Sequence, residues 1–254
     1  MSEYNPNPAA RYGTTAARDR VAVDAGLRAY MLQVYNYMAI GLAITGAVAL
    51  GTFMVAVATD PATGARSLTE VGQLLYASPL KWVVIFAPLA LVFFLSFRID
   101  RMSVGTAQAV FWIYAGLVGL SLSVIFLVFT GQSITRVLFI TAAAFGGLSL
   151  YGYTTKTDLS PMRTFLFMGL IGIIIAFVVN IWLASTMLQW IASVAGVLVF
   201  SGLTAYDTQQ IKEMYYAGDD ATVAGRKSVM GALRLYLDFI NLFMMLLYLF
   251  GNRE

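Results

Sequence analysis

Neither cysteine nor histidine occurs among the 254 residues. Their absence removes disulfides, thiol nucleophiles, Ser-His triads, haem ligation by histidine and the usual zinc sites. Any chemistry has to run on carboxylates, Arg, Lys, Tyr or backbone groups. Charge is scarce as well: 11% of the residues are charged against 59% hydrophobic, and the mean hydropathy is +0.77. A chain of this size then has too little polar surface to cover a soluble domain, so its first partner is the lipid bilayer. The net charge of +3 comes from 16 Lys and Arg against 13 Asp and Glu. These fall mostly between apolar runs instead of forming one basic face, which argues against nucleic-acid binding.

A bilayer core about 30 Å thick asks for about 20 apolar residues of helix. Seven runs meet that length, at about residues 31–59, 80–98, 106–129, 134–153, 164–186, 189–211 and 230–250. The chain therefore reads as all-α and polytopic, with seven transmembrane helices in residues 29–254. Residues 1–28 form a polar, partly disordered cytoplasmic tail that carries Arg11, Arg18, Arg20 and Arg28 and lacks the apolar core of a signal peptide. Asp60-Pro61, Gly64 and Ser78-Pro79 give the first long loop its turn chemistry. With the N-terminus inside, twelve Lys and Arg fall on inner segments and four (Arg66, Lys81, Arg136, Arg253) on outer ones. The positive-inside rule then puts the N-terminus in the cytoplasm and the C-terminus outside.

Several spans carry small residues four apart, such as Ala115 and Gly119, Ala142 and Gly146, Ala143 and Gly147, and Ala192 and Gly196. These let backbones approach closely and are read as packing. Asn180 is expected to bond to a neighbouring helix, and Arg136 and Arg163 to mark span ends. Trp82, Trp112, Trp182 and Trp190 are read as interfacial anchors or core.

Asp207 and Asp238 do not belong in hydrocarbon, where a carboxylate costs on the order of 3 kcal/mol on insertion scales. The sixth span ends and the seventh begins on the same side, so both carboxylates sit towards the inner face and can meet. Thr204, Asp207 and Gln210 share one face of the sixth span, and Arg234, Asp238 and Asn241 one face of the seventh. Arg98, at the inner end of the second span, is the first candidate for a counter-ion, with Arg101 and Arg234 as rivals. Two carboxylates brought close in low dielectric cannot both stay charged, so the pair is expected to share a proton near neutral pH. Ca²⁺ takes six to eight oxygens and two aspartates supply at most four, so binding there would be weak and passing.

At these residues the sequence resembles a known family. Residues 205–211 (AYDTQQI) and 235–243 (LYLDFINLF) resemble the paired signatures of the transmembrane Bax inhibitor motif family. Residues 149–160 (SLYGYTTKTDLS) and 165–170 (FLFMGL) resemble its bacterial branch. The resemblance covers the chain from about residue 25 to its end. It implies a seven-helix fold with the last helix central and surrounded by the other six. It also implies a passive, pH-sensitive Ca²⁺ leak governed by an aspartate pair, here Asp207 and Asp238. The family's second-helix arginine, which pairs with the first aspartate when the pore is shut, would be Arg98.

The leading expectation is thus a monomeric pH-gated Ca²⁺ leak channel of the bacterial inner membrane, without cofactor or catalysis. Its alternative is an interaction protein that regulates a membrane-bound AAA protease or a stress response without transporting ions. A di-aspartyl intramembrane protease is disfavoured because Asp207 follows Ala205-Tyr206 and not Gly-x-Gly. A retinal protein would need a lysine along the last span, and residues 230–250 contain none.

Overall fold

The computed structural model describes residues 8–60, 63 and 65–253, with side chains from Asp24 onward. Seven helical stretches are long and apolar enough to cross a membrane: Asp24–Ala56, Leu80–Arg101, Val104–Val128, Gly131–Thr154, Ser160–Leu183, Thr186–Glu213 and Ala221–Phe250.

Helix α1 runs from Pro8 to Ala56. It takes in most of the segment expected to be a partly disordered tail, of which residues 1–7 lie outside the described residues. Ala and Arg are strong helix formers, and Arg20, Asp24 and Arg28 recur one turn apart with alternating sign, so the polar stretch can continue the membrane helix outward. The helix ends three residues before the hydropathy does. Strands β1 (Val57–Thr59) and β2 (Arg66–Leu68) pair antiparallel with Val57 opposite Leu68, and close the first long loop as a small hairpin. Pro61 and Gly64, expected to shape that loop, lie outside the described residues. A short helix α2 (Glu70–Gly72) runs into a π-turn at Gln73–Ala77.

Helix α3 (Leu80–Arg98) contains Pro88, and a 3-10 turn at Ile99–Arg101 leads to α4 (Val104–Leu122), capped by Ser103. Ser123 interrupts that span: its hydroxyl donates to the Leu120 carbonyl at 2.6 Å and meets Tyr76 Oη at 2.7 Å, and α5 (Ile125–Val128) completes the crossing. Helix α6 (Gly131–Thr154) starts at the Thr130 cap. Helix α7 (Arg163–Leu183) ends at Ala184, which takes the left-handed conformation with φ 47°. Asn180 caps this end, its side chain accepting from the Ser185 N–H at 2.9 Å. The expected bond to a neighbouring helix is replaced by a local one because the tight α7–α8 turn leaves that N–H without a helical partner. Helices α8 (Thr186–Glu213) and α9 (Ala221–Phe250) follow, capped by Ser185 and Asp220.

Helix α9 is central. It packs against α8, α1, α6 and α4, and 56% of its apolar window is buried, against 11% for α3 and for the α7 span. Helix α3 packs mainly on α4 and α7 mainly on α8, with α7 also reaching α9 where the Phe177 and Tyr248 rings lie 5.9 Å apart. One set of polar groups in the core is cross-linked between helices. Tyr236 of α9 lies edge-on to Phe111 and Tyr114, and its hydroxyl meets Thr45 Oγ1 at 2.6 Å. Thr45 in turn donates to carbonyls of α1 or α4. Close approach uses Gly119, whose Cβ would lie 2.5 Å from the Thr45 carbonyl oxygen, and Gly152, whose Cβ would overlap the Ala205 backbone. A Cβ at Gly146 or Gly147 would meet nothing within 4 Å, so those two expected packing positions face open space.

Trp82, Trp182 and Trp190 are exposed at the ends of α3, α7 and α8, as anchors at an interface are, while Trp112 is partly buried against the core.

Candidate functional site

The α8–α9 hairpin positions the site. Lys227 reaches back from α9 to donate to the Met214 carbonyl at 3.0 Å and to Asp219 at 2.5 Å, and the Asp220 carboxylate accepts from the N–H groups of Thr222 and Val223 at 2.8 Å each. Helix α9 therefore begins nine residues before its apolar run, as a polar extension clamped to the end of α8. The two helices leave this clamp antiparallel and in contact, with Gly231 giving room to Ile211. This arrangement brings Asp207 and Asp238 into one cavity, close enough for each carboxyl group to act on the other.

The pair sits in a cavity of about 600 Å³ between α7, α8 and α9. Helix α7 contributes Arg163, Phe167 and Leu170; α8 contributes Phe200, Leu203, Tyr206, Asp207 and Gln210; α9 contributes Arg234, Leu237, Asp238 and Asn241. Asp238 is 5% exposed, and its Oδ2 finds no hydrogen-bond partner among the described residues. Arg163 and Arg234 are both exposed. The cavity thus has an acidic floor and a basic rim, with formal charges that cancel. No contact ion pair joins these groups among the described residues; Arg234 acts on both carboxylates and Arg163 on Asp207 across the cavity.

Of the residues expected at the site, Gln210, Arg234 and Asn241 line the cavity beside the two aspartates. Thr204 does not: it is fully buried and donates to the Phe200 carbonyl of its own helix at 2.7 Å. Nor is Arg98 among the lining residues. It is exposed at the end of α3, which packs on α4, and it forms no hydrogen bond or ion pair among the described residues. The arginines nearest the pair are Arg234, one turn before Asp238, and Arg163, the first residue of α7. Arg163, expected to mark a span end, also lines the cavity, as does Tyr206, and the sequence alone points to neither as a site residue. The signal for Arg163 is a cation at the start of a helix that must neighbour α8 across a very short turn.

The link between α6 and α7 is also held by α8. The Gln209 side chain donates to the Thr157 carbonyl at 2.9 Å and accepts from the Leu159 N–H at 2.8 Å, and Lys212 donates to the Tyr153 carbonyl at 2.8 Å. In this link the Ser160 N–H donates to Asp158 at 2.9 Å, which holds that exposed carboxyl below its ordinary range.

The arrangement can attract or exclude a small cation and exchange protons. Among the described residues no cluster of three or more acidic side chains offers a tight metal site. Gln210 and Asn241 direct their NH₂ groups to Glu213 and to the Leu237 carbonyl, both at acceptor distance, so their carbonyl oxygens stay available to the cavity.

Inner membrane protein YbhL of Escherichia coli is 47% identical over 233 residues, covering 91% of this chain and 94% of that protein. A protein of Caulobacter vibrioides is 47% identical across the full length of both chains. A protein of Rickettsia prowazekii, RP147, is 46% identical over 243 residues, 95% of this chain and 96% of its own. Residues 27–254, which include all seven membrane-spanning helices but the first turn of α1's span, match the family described as inhibitor of apoptosis-promoting Bax1, and the chain belongs to that family of membrane proteins.

Proposed function

We propose that the protein is a passive, pH-sensitive Ca²⁺ leak of a bacterial inner membrane, with the α7–α8–α9 cavity as its vestibule and the Asp207–Asp238 pair as its gate. The observation that carries this reading is the opposition, in one cavity, of two facing carboxylates and two guanidiniums. Carboxylates this close in a low dielectric share a proton under acidic conditions. The cavity then holds one negative charge against two positive ones and repels a divalent cation. Loss of the shared proton as pH rises brings the balance to zero. Because Arg163 and Arg234 are exposed at the rim, their guanidiniums can turn away and leave the pair to a cation. The two aspartates and the carbonyl oxygens of Gln210 and Asn241 offer up to six oxygens, the lower end of what Ca²⁺ takes. That suits transit better than storage.

We assign the protein a monomeric state and neither a resident cofactor nor a catalytic step. The surplus of Lys and Arg on the segments at the Arg163–Lys227 end supports a cytoplasmic N-terminus and an outer C-terminus. The inner-membrane name of the Escherichia coli relative supports the same location.

The test is Ca²⁺ entry into dye-loaded liposomes between pH 6 and 8, comparing wild type with Asp207→Asn and Asp238→Asn. Wild-type flux should rise with pH, and each substitution should flatten that rise. Flux equal to that of empty liposomes at every pH would sink the proposal and favour the interaction reading, in which the chain regulates a membrane protease or stress response without moving ions.

A further inference from the structure

Helices α1 and α6 both pack on α9, and among the described residues one side-chain hydrogen bond joins them to each other, between Tyr35 Oη and Ser149 Oγ at 2.6 Å. Beside that bond a groove of about 470 Å³ opens, lined by Met31, Leu32, Phe145, Gly146 and Leu150, with Arg28 at its polar end. From Arg28 to Tyr35 the groove follows two turns of α1, about 10 Å. That is most of one leaflet's share of a hydrocarbon core about 30 Å thick.

We propose that this groove binds one anionic phospholipid, an acyl chain lying against Gly146 between α1 and α6 and the phosphate meeting Arg28. Three observations support that occupant. The groove faces outward from a helix bundle that sits in lipid, so lipid is what surrounds its mouth. Its wall is apolar for the length of the chain segment, as a hydrocarbon tail requires. Its polar end carries an exposed guanidinium with no hydrogen bond or ion pair among the described residues, although Asp24 stands one turn earlier. Lys156, exposed on the α6–α7 link, and Lys212, held over the Tyr153 ring, add positive charge at the same end. A basic recess between membrane helices at the headgroup level is the arrangement that selects anionic lipids.

Two neighbouring glycines make the proposal testable. A side chain at Gly146 would fill the groove, while one at Gly147 would not, and a Cβ at either position meets nothing within 4 Å. Native mass spectrometry of the purified full chain, titrated with phosphatidylglycerol or phosphatidylcholine in detergent, reads the bound lipid directly. Wild type and Gly147→Leu should each retain one phosphatidylglycerol, and Gly146→Leu should lose it by tenfold or more at an unchanged lipid-free melting temperature. Arg28→Gln should lower phosphatidylglycerol retention to the level of phosphatidylcholine. Equal retention by Gly146→Leu and wild type would overturn the proposal, as would equal loss in both glycine variants. A concentration-dependent dimer that Gly146→Leu abolishes would overturn it too, since a second copy of the chain would then fill the groove.

Discussion

Arg234 lies one helical turn before Asp238 and faces the same cavity, and its charge bears on both aspartates. Replacing it by Gln removes one of two positive charges opposing the pair. The pair that shares one proton is then balanced by one positive charge instead of being outweighed by two, so Arg234→Gln should raise Ca²⁺ flux several-fold at pH 6.5 to 7, which the liposome assay measures. Arg98→Gln, at an exposed residue outside the cavity, should leave the profile where it is. The sequence makes the two aspartates legible because a carboxylate in an apolar span is conspicuous and because a hairpin puts both at related depth. It does not make the counter-ion legible. Arg98, Arg101, Arg163 and Arg234 all lie towards one membrane face, and choosing among them depends on which helices touch. Helix α3 turns out to lean on α4, while α7, with Arg163, closes the cavity from the other side.

Helices in lipid gain little from apolar burial against one another, so close backbone approach matters. At Gly152 of α6 a Cβ would run into the Ala205 backbone of α8, whereas at Gly116 of α4 it would meet nothing within 4 Å. Gly152→Ala should therefore destabilise the fold by about 1–3 kcal/mol, and Gly116→Ala should leave it unchanged or slightly firmer. Thermal unfolding in detergent distinguishes the two. Span existence was readable throughout, since seven apolar runs of about 20 residues admit few other structures. Span ends were readable where a cap or breaker stands at the boundary: α3 begins at Leu80, directly after Ser78-Pro79, as expected. They were misread where a helix continues past the hydrocarbon, because hydropathy reports the solvent around a helix and not the helix itself. Helix α9 starts at Ala221 on the Asp220 cap, and α1 starts at Pro8 in polar sequence. The small-residue pairs show the same limit: spacing identifies them all, but only contact separates Gly119 and Gly196, which touch neighbours, from Gly146 and Gly147, which do not.

The whole molecule is a bundle with one end rich in positive charge and the other carrying the exposed tryptophans and the β1–β2 hairpin. The C-terminal residues are tied to that second end, where Arg136 donates to the Phe250 carbonyl at 3.0 Å and Thr130 N–H to the Asn252 carbonyl at 3.1 Å. A reporter that is active only in the cytoplasm should accordingly be silent when fused after residue 254 and active when placed in the 214–220 link. The reverse pattern would invert the bundle and turn the vestibule outward. The absence of cysteine also provides the most direct test of the ion route, because any introduced thiol is unique. Asn241→Cys places one in the α7–α8–α9 cavity, where a membrane-impermeant, positively charged methanethiosulfonate reagent can reach it only through water. Modification should abolish Ca²⁺ flux in this variant while the same reagent leaves wild type unaffected; undiminished flux after complete modification would show that ions do not pass this way.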